Sequence, residues 1–104
     1  MIIRFFRAIV HDGQVETFKT LFQETILPFV RSQDGLVSAS IGLPHESSPN
    51  EFSMLMRWRD MESIKKFAGD NWQTAVVLPE EAHLLEETFV YHYQAVSLWR
   101  EEST

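Results

Sequence analysis

Four histidines and a scatter of large aromatic side chains are what this 104-residue chain offers for chemistry. His11 and His45 fall in turn-like segments, His11-Asp12-Gly13 and the polar run 44–50, where an imidazole faces water. His83 and His92 are the stronger candidates. The first stands beside Leu84 and Leu85, not far along the chain from Trp72; the second lies between Tyr91 and Tyr93. A neutral imidazole, with a pKa near ~6.5, is suited to taking a proton from a phenol or hydroquinone. His83 and His92 are therefore the candidate catalytic bases, weighed against the plainer role of a hydrogen-bonded structural histidine. Trp72, Tyr93 and Phe67 are the candidate substrate-binding residues, because wide rings stack on flat aromatic ligands. A small core would use Trp58 and the eight phenylalanines equally well.

Other chemistries find less support. There is no cysteine, which removes disulfides, thiolate nucleophiles and thiolate metal sites. His83 with Glu86 or Glu87 has the spacing of a helical ligand pair, but such pairs usually lie in water, and no metal site is expected. No nucleophile elbow is present, and the 4 glycines are dispersed rather than gathered into a phosphate-binding loop. No cofactor is expected. A net charge of −6 argues against nucleic acid as a partner. No apolar run approaches the roughly 20 residues of a spanning helix. The opening MIIRFFRAIV carries Arg4 and Arg7 and reads as a strand rather than a signal peptide, so a cytoplasmic protein is expected.

The elements that must position these residues follow from periodicity. Residues 2–10 alternate with apolar side chains on both faces: Ile3, Phe5 and Ile9 on one, Ile2, Phe6 and Val10 on the other. From Gln14 to about Ser32, Val15, Phe18, Leu21, Phe22, Ile26 and Phe29 recur at helical spacing, with Pro28 set to kink the helix or end its regular part. Residues 36–43 read as a strand with Val37, Ala39, Ile41 and Leu43 on one face. After the loop 44–50, Phe52, Met54, Met56 and Trp58 alternate toward one face, and Asp60 can cap a helix carrying Met61, Ile64, Phe67 and Ala68. Residues 71–78 follow no clear pattern. Pro79 opens a short helix with Glu80 and Glu81 in its first turn, and Glu80, Glu81, Glu86 and Glu87 read as a solvated face. Residues 89–96 form the last strand, with Phe89, Tyr91 and Tyr93 on one face and Val90 and Val96 on the other. The expected domain is 1–96, with a C-terminal tail at 97–104.

This order, βαββαβ with an extra short helix, gives a ferredoxin-like α+β fold: a four-stranded antiparallel sheet with both helices on one face. The first and last strands are apolar on both faces, so something must cover the second face. A second copy of the chain does so most economically, and a homodimer is expected.

The strand and helix of 2–30, Asp34-Gly35, Trp58 before the capped helix, Phe67 with Trp72 downstream, and the last strand reading Val90-Tyr91-His92-Tyr93 together resemble the antibiotic biosynthesis monooxygenase (ABM) family of dimeric α+β barrels. The resemblance spans roughly residues 2–96. Within that family some members oxidise polyaromatic or quinol-type substrates with O₂ and no metal or flavin, some degrade haem, one group isomerises a signalling sugar, and many have no known activity. The haem-degrading members carry an asparagine on the first strand, a tryptophan in the second helix and a histidine after it. Here Phe6 or Arg7, Phe67 and about Val77 stand at those places, and Phe67 also replaces the histidine of the isomerases. Trp72 falls where the cofactor-free monooxygenases carry an aromatic residue. The resemblance therefore implies a cofactor-free monooxygenase acting on a small aromatic or quinol-type molecule. The alternatives are a non-catalytic ligand-binding or stress-related barrel, or an isomerase or cyclase working by proton transfer. The site is expected between the helices and the sheet, with Trp72 and His83 or His92 on its wall.

Overall fold

The computed structural model describes residues 1–96, so the tail expected at 97–104 lies outside the described residues. The chain runs β1 (Ile2–Val10), α1 (Val15–Leu21), a π-helical turn (Phe22–Ile26), α2 (Leu27–Arg31), β2 (Leu36–Gly42), β3 (Glu51–Trp58), α3 (Met61–Ala68), a 3₁₀ turn (Ala82–Leu84) and β4 (Leu85–Gln94). The strands form one antiparallel sheet in the order β2-β3-β1-β4. This is the ferredoxin-like α+β fold, with α1, the π turn and α2 in direct succession as its first helix.

The alternation in β1 decides which residues meet. Phe6, Ala8 and Val10 are buried with Arg4 on the helix-covered face, as are Phe52, Met54, Met56 and Trp58 of β3. Register then sets Phe6 opposite Met54 and Val90, and Arg4 opposite Met56 and His92. Phe18, Phe22 and Phe52 pack as a triad with ring centroids 4.8 to 5.6 Å apart. Each such pair adds about 0.5–1.5 kcal/mol beyond its buried area. The helix widens just before Pro28. The Leu27 N–H reaches back five residues to the Phe22 carbonyl, and this relieves the clash of the proline ring with the turn behind it.

Three expectations need correction. A bulge between Leu36 and Ser38 shifts the register of β2, so Leu36, Ala39 and Ile41 pack on the core while Val37 turns outward and is exposed. The last strand begins at Leu85, not 89, because Val10 pairs with Leu85 and His11 N–H donates to the Leu84 carbonyl. Glu86 and Glu87 are consequently exposed residues of an outer strand, not of a helix. Glu81, read as part of a solvated face, is 1% exposed, its Oε2 accepting the Leu78 N–H at 3.0 Å.

The cap of α3 forms as expected. Asp60 Oδ1 accepts the Ser63 N–H at 2.8 Å and the Ser63 hydroxyl at 2.7 Å, and these bonds hold the Asp60 carboxyl below its usual range. Ser63, held by that cap, in turn fills the space above Gly35, whose φ of +89° suits only glycine and whose added Cβ would collide with the Ser63 side chain. Gly35→Ala is therefore expected to cost about 2–5 kcal/mol, combining strain and overpacking. Gly13→Ala, at φ +81° but in open space, should cost about 1 kcal/mol. Urea midpoints of the two variants measure the difference, and equal midpoints would contradict it.

Candidate functional site

A cavity of about 30 Å³ lies between the helices and the sheet. One water needs on the order of 10–15 Å³, so it accepts about two. Ile26 and Val30 close it from the first helix, Met56 from β3 and Phe67 from α3; Arg4 and Glu81 are its charged residues. None of Trp72, His83 and His92, expected on the wall of the site, lines this cavity; its polar groups are others.

Arg4 is drawn inward by the register of β1, being the one charged residue among Ile2, Phe6, Ala8 and Val10 on that face. It is 1% exposed. Its Nη1 donates to the Trp72 carbonyl at 2.6 Å and lies 2.9 Å from His92 Nε2; its Nη2 donates to the Thr74 carbonyl at 3.0 Å. The guanidinium also stands 5.7 Å from the centre of the Phe67 ring. Burial lowers its pKa to about 10, which leaves it cationic at neutral pH. Among the described residues no carboxylate forms an ion pair with it. The groups that accept from this buried charge are thus all neutral, and Glu81, the other charged residue of the cavity, forms no ion pair with it, an arrangement that favours an arriving anion.

His92 is the histidine that the fold brings to this group. An arginine only donates, so the Nε2 contact is attractive only when that nitrogen is unprotonated and the proton resides on Nδ1. Burial, and then the charge of Arg4, push the imidazole below its usual pKa. Nitrogen-15 NMR is expected to show the neutral Nδ1–H tautomer at pH 7. The depressed value means that the unfolded chain takes up this proton first. The contribution to stability is therefore full above about pH 6.5 and is lost as pH falls through the folded-state pKa. His92→Gln keeps an acceptor for Arg4 but cannot titrate, so its urea midpoint should fall less than that of the parent on mild acidification. Parallel curves would contradict this assignment.

Glu81 reaches the cavity from the connection before the 3₁₀ turn. Burial pushes its carboxyl up, the Leu78 N–H bond opposes this, and the charge of Glu80 adds to the rise. Phe67 lines the cavity, stacked on Trp58 with centroids 5.0 Å apart. Trp72 stands one layer behind: its carbonyl holds Arg4, and its indole meets the His92 ring edge-on at 5.1 Å. His83 is exposed on the 3₁₀ turn, away from the cavity. Tyr93 is 53% exposed on the opposite sheet face, because it alternates with His92 along β4. The structure thus gathers Phe67, Trp72 and His92 around Arg4 and leaves His83 and Tyr93 outside. Sequence reasoning missed Arg4 and Glu81. The signal for Arg4 was a lone charge in an apolar alternating face, whereas Glu81 sat unmarked in an acidic run.

The family model for antibiotic biosynthesis monooxygenase matches residues 1–76. The chain belongs to the ABM family. Solved structures agree with the ABM fold. A proposed antibiotic biosynthesis monooxygenase of Deinococcus radiodurans superposes with TM-score 0.75 at 15% identity, covering 99% of this chain and 100% of that one. A conserved protein of Methanosarcina mazei Go1 gives TM-score 0.69 at 20% identity, over 90% and 92% of the two chains. A mutant of MhuD with two manganese protoporphyrin IX groups bound per active site gives TM-score 0.72 at 10% identity, over 97% and 100%. At these identities the likeness is one of fold. No curated protein matches the sequence.

The manganese protoporphyrin IX of the MhuD mutant finds no imidazole ligand at the site found here. No histidine lines the cavity, and the accepting nitrogen of His92 already faces Arg4. Among the described residues no helix is long and apolar enough to cross a membrane.

Proposed function

We propose that this ABM protein acts as a homodimer that binds a small aromatic, quinol-type molecule between its helices and sheet and oxidises it with O₂ without a resident cofactor. The observation that carries the reading is the buried Arg4 guanidinium on the wall of an otherwise largely apolar cavity. A cofactor-free oxygenation begins with a substrate anion, since that species can give an electron to O₂, and a buried cation favours the anion. For an anthrone-type CH₂ the chemistry balances simply: one oxygen atom becomes the new carbonyl, and the other leaves as water with the two hydrogens. The present cavity is too small for such a ring, so the irregular segment 69–81 must yield to admit it.

The dimer is supported by the sheet face that the helices leave uncovered. Phe5, Leu55 and Tyr91 stand side by side there, Leu55 37% and Tyr91 40% exposed, with the bidentate Arg7–Glu51 pair and Phe89 beside them.

A thermal-shift screen with quinols, anthrones and hydroxylated aromatics tests the reading, because a ligand that binds only the native state raises the melting temperature. One class is expected to raise it by several degrees and to consume oxygen on the wild-type protein. Binding without oxygen uptake or conversion would leave a ligand-binding barrel, and conversion without oxygen would leave an isomerase or cyclase. No binding by any class would overturn the reading.

A further inference from the structure

We infer that Glu81 is the base that removes the substrate proton, and that Arg4 holds the oxygen on which the negative charge then settles. The inference rests on the ligand-site reading above, but not on the oxygenation.

The argument runs by elimination among the groups at the cavity. His92 stands one layer behind the wall and has no lone pair to offer: Nε2 faces Arg4, and Nδ1 then carries the proton. His83 is exposed. Phe6, Ile26, Val30, Met54, Met56, Phe67 and Val76 make up the rest of the lining, and none of their side chains accepts a proton. Glu81 alone remains. Its carboxylate is 1% exposed and is held at one oxygen by the Leu78 N–H.

Its relation to Arg4 matters as much. A carboxylate in direct contact with a guanidinium is a poor base, since the ion pair stabilises its charged form. Arg4 and Glu81 share the cavity, yet no ion pair joins them. They come from different elements, the first strand and the connection before the last. An enolisable aromatic ketone needs this separation: its proton leaves carbon while its negative charge moves to oxygen several bonds away. In the step the C–H bond breaks, the proton passes to a Glu81 oxygen, the electron pair becomes the enolate, and the enolate oxygen faces Arg4. Glu80 beside Glu81 raises its proton affinity and the Leu78 N–H lowers it; Arg4 is the other charged group of the cavity, and the first helix, β3 and α3 present only apolar side chains to it. Burial and Glu80 raise Glu81 above the ordinary carboxylate range, which strengthens it as a base.

Anthrone under argon in deuterated buffer is the probe, read by NMR as exchange of its CH₂ protons, which requires neither O₂ nor turnover. The wild-type protein is expected to accelerate exchange, with a rate that climbs with pH and levels off above the Glu81 pKa. Glu81→Gln keeps an oxygen for the Leu78 N–H, so it should bind anthrone with a similar thermal shift while exchange falls on the order of 10²–10⁴-fold. Glu81→Asp should recover part of that loss, which a merely structural role would not predict. Exchange by Glu81→Gln at the wild-type rate, or a pH profile unchanged by the substitution, overturns the inference even if oxygen uptake persists. Bound anthrone with no exchange on the wild-type protein overturns it as well. Exchange without oxygen uptake leaves the base in place and removes the oxygenase. Failure of every aromatic to bind takes both down together.

Discussion

Phe6→Asp is expected to unfold this protein, whereas Phe5→Asp is expected to leave it folded and separate the two copies. The residues are neighbours of the same type on one strand, and only the face differs. Phe6 lies in the core between Met54 and Val90. Truncating a core phenylalanine costs about 3–5 kcal/mol, and an unpaired carboxylate in the same place adds several more. Against a stability of roughly 5–15 kcal/mol for a domain of this size, little or nothing remains. Phe5 lies between Leu55 and Tyr91 on the uncovered face, where in a single copy an aspartate can still reach water. In the proposed dimer the same charge would be trapped between two sheets, twice over by symmetry. Light scattering with circular dichroism separates the outcomes: about 24 kDa for the parent, twice the 12.1 kDa chain, and about 12 kDa with native ellipticity for Phe5→Asp. A folded parent of monomer mass at micromolar concentration would refute the dimer, and a Phe5→Asp protein that stays dimeric would refute this interface.

Arg4→Met is expected to weaken ligand binding and to loosen one segment while sparing the rest of the fold. Two effects oppose each other. Removing a buried cation without a counter-charge relieves a desolvation penalty of several kcal/mol. The carbonyls of Trp72 and Thr74 and Nε2 of His92 lose their donor, at about 1–3 kcal/mol for each acceptor that stays buried. Water decides the balance, because Gln73 and Thr74 are already exposed and their segment can turn outward to hydrate its carbonyls. The net loss of global stability should then be about 1–3 kcal/mol. Hydrogen exchange, however, should show residues 71–76 losing protection. A charge-assisted bond to a bound anion is worth about 1.5–3 kcal/mol, so affinity for an acidic phenol should drop roughly tenfold to a hundredfold. Arg4→Lys should rescue little, since an ammonium cannot span two carbonyls and an imidazole as the planar fork does. Unchanged protection in 71–76 together with an unchanged ligand-induced thermal shift would remove Arg4 from both roles.

The fold was legible because its signals are local and repeated. Alternation in 2–10 and 52–58 fixed two strands, Asp60 marked a helix start that forms with its cap bonds, and the apolar spacing of 15–29 required a helix. The errors fell where tertiary pairing overrides local pattern. One inserted residue at Val37 reversed part of a strand, and pairing with Val10 drew Leu85 to Thr88 into β4 although its two glutamates suggested a solvated helix. Of the candidate residues, Phe67, Trp72 and His92 gather around Arg4, while His83 and Tyr93 do not. Arg4 and Glu81 escaped because a charged residue in sequence reads as solvent-facing, and only register and chain closure reveal that these two are not.

The four buried residues of the first helix, Phe18, Phe22, Ile26 and Val30, are spaced by four throughout. At 3.6 residues per turn, side chains four apart are rotated by about 40°, so three such steps would carry Val30 about 120° away from Phe18. The wide turn between Phe22 and Ile26 unwinds that drift and keeps the stripe straight along the sheet. Closing this turn to ordinary α-helix with every residue kept would restore the drift and rotate the residues beyond it off the sheet-facing stripe. Val30 would leave the cavity wall, and the cavity would lose one side with no residue lining it changed in identity. The shape of this pocket is thus set by how one turn is wound as well as by the residues that line it.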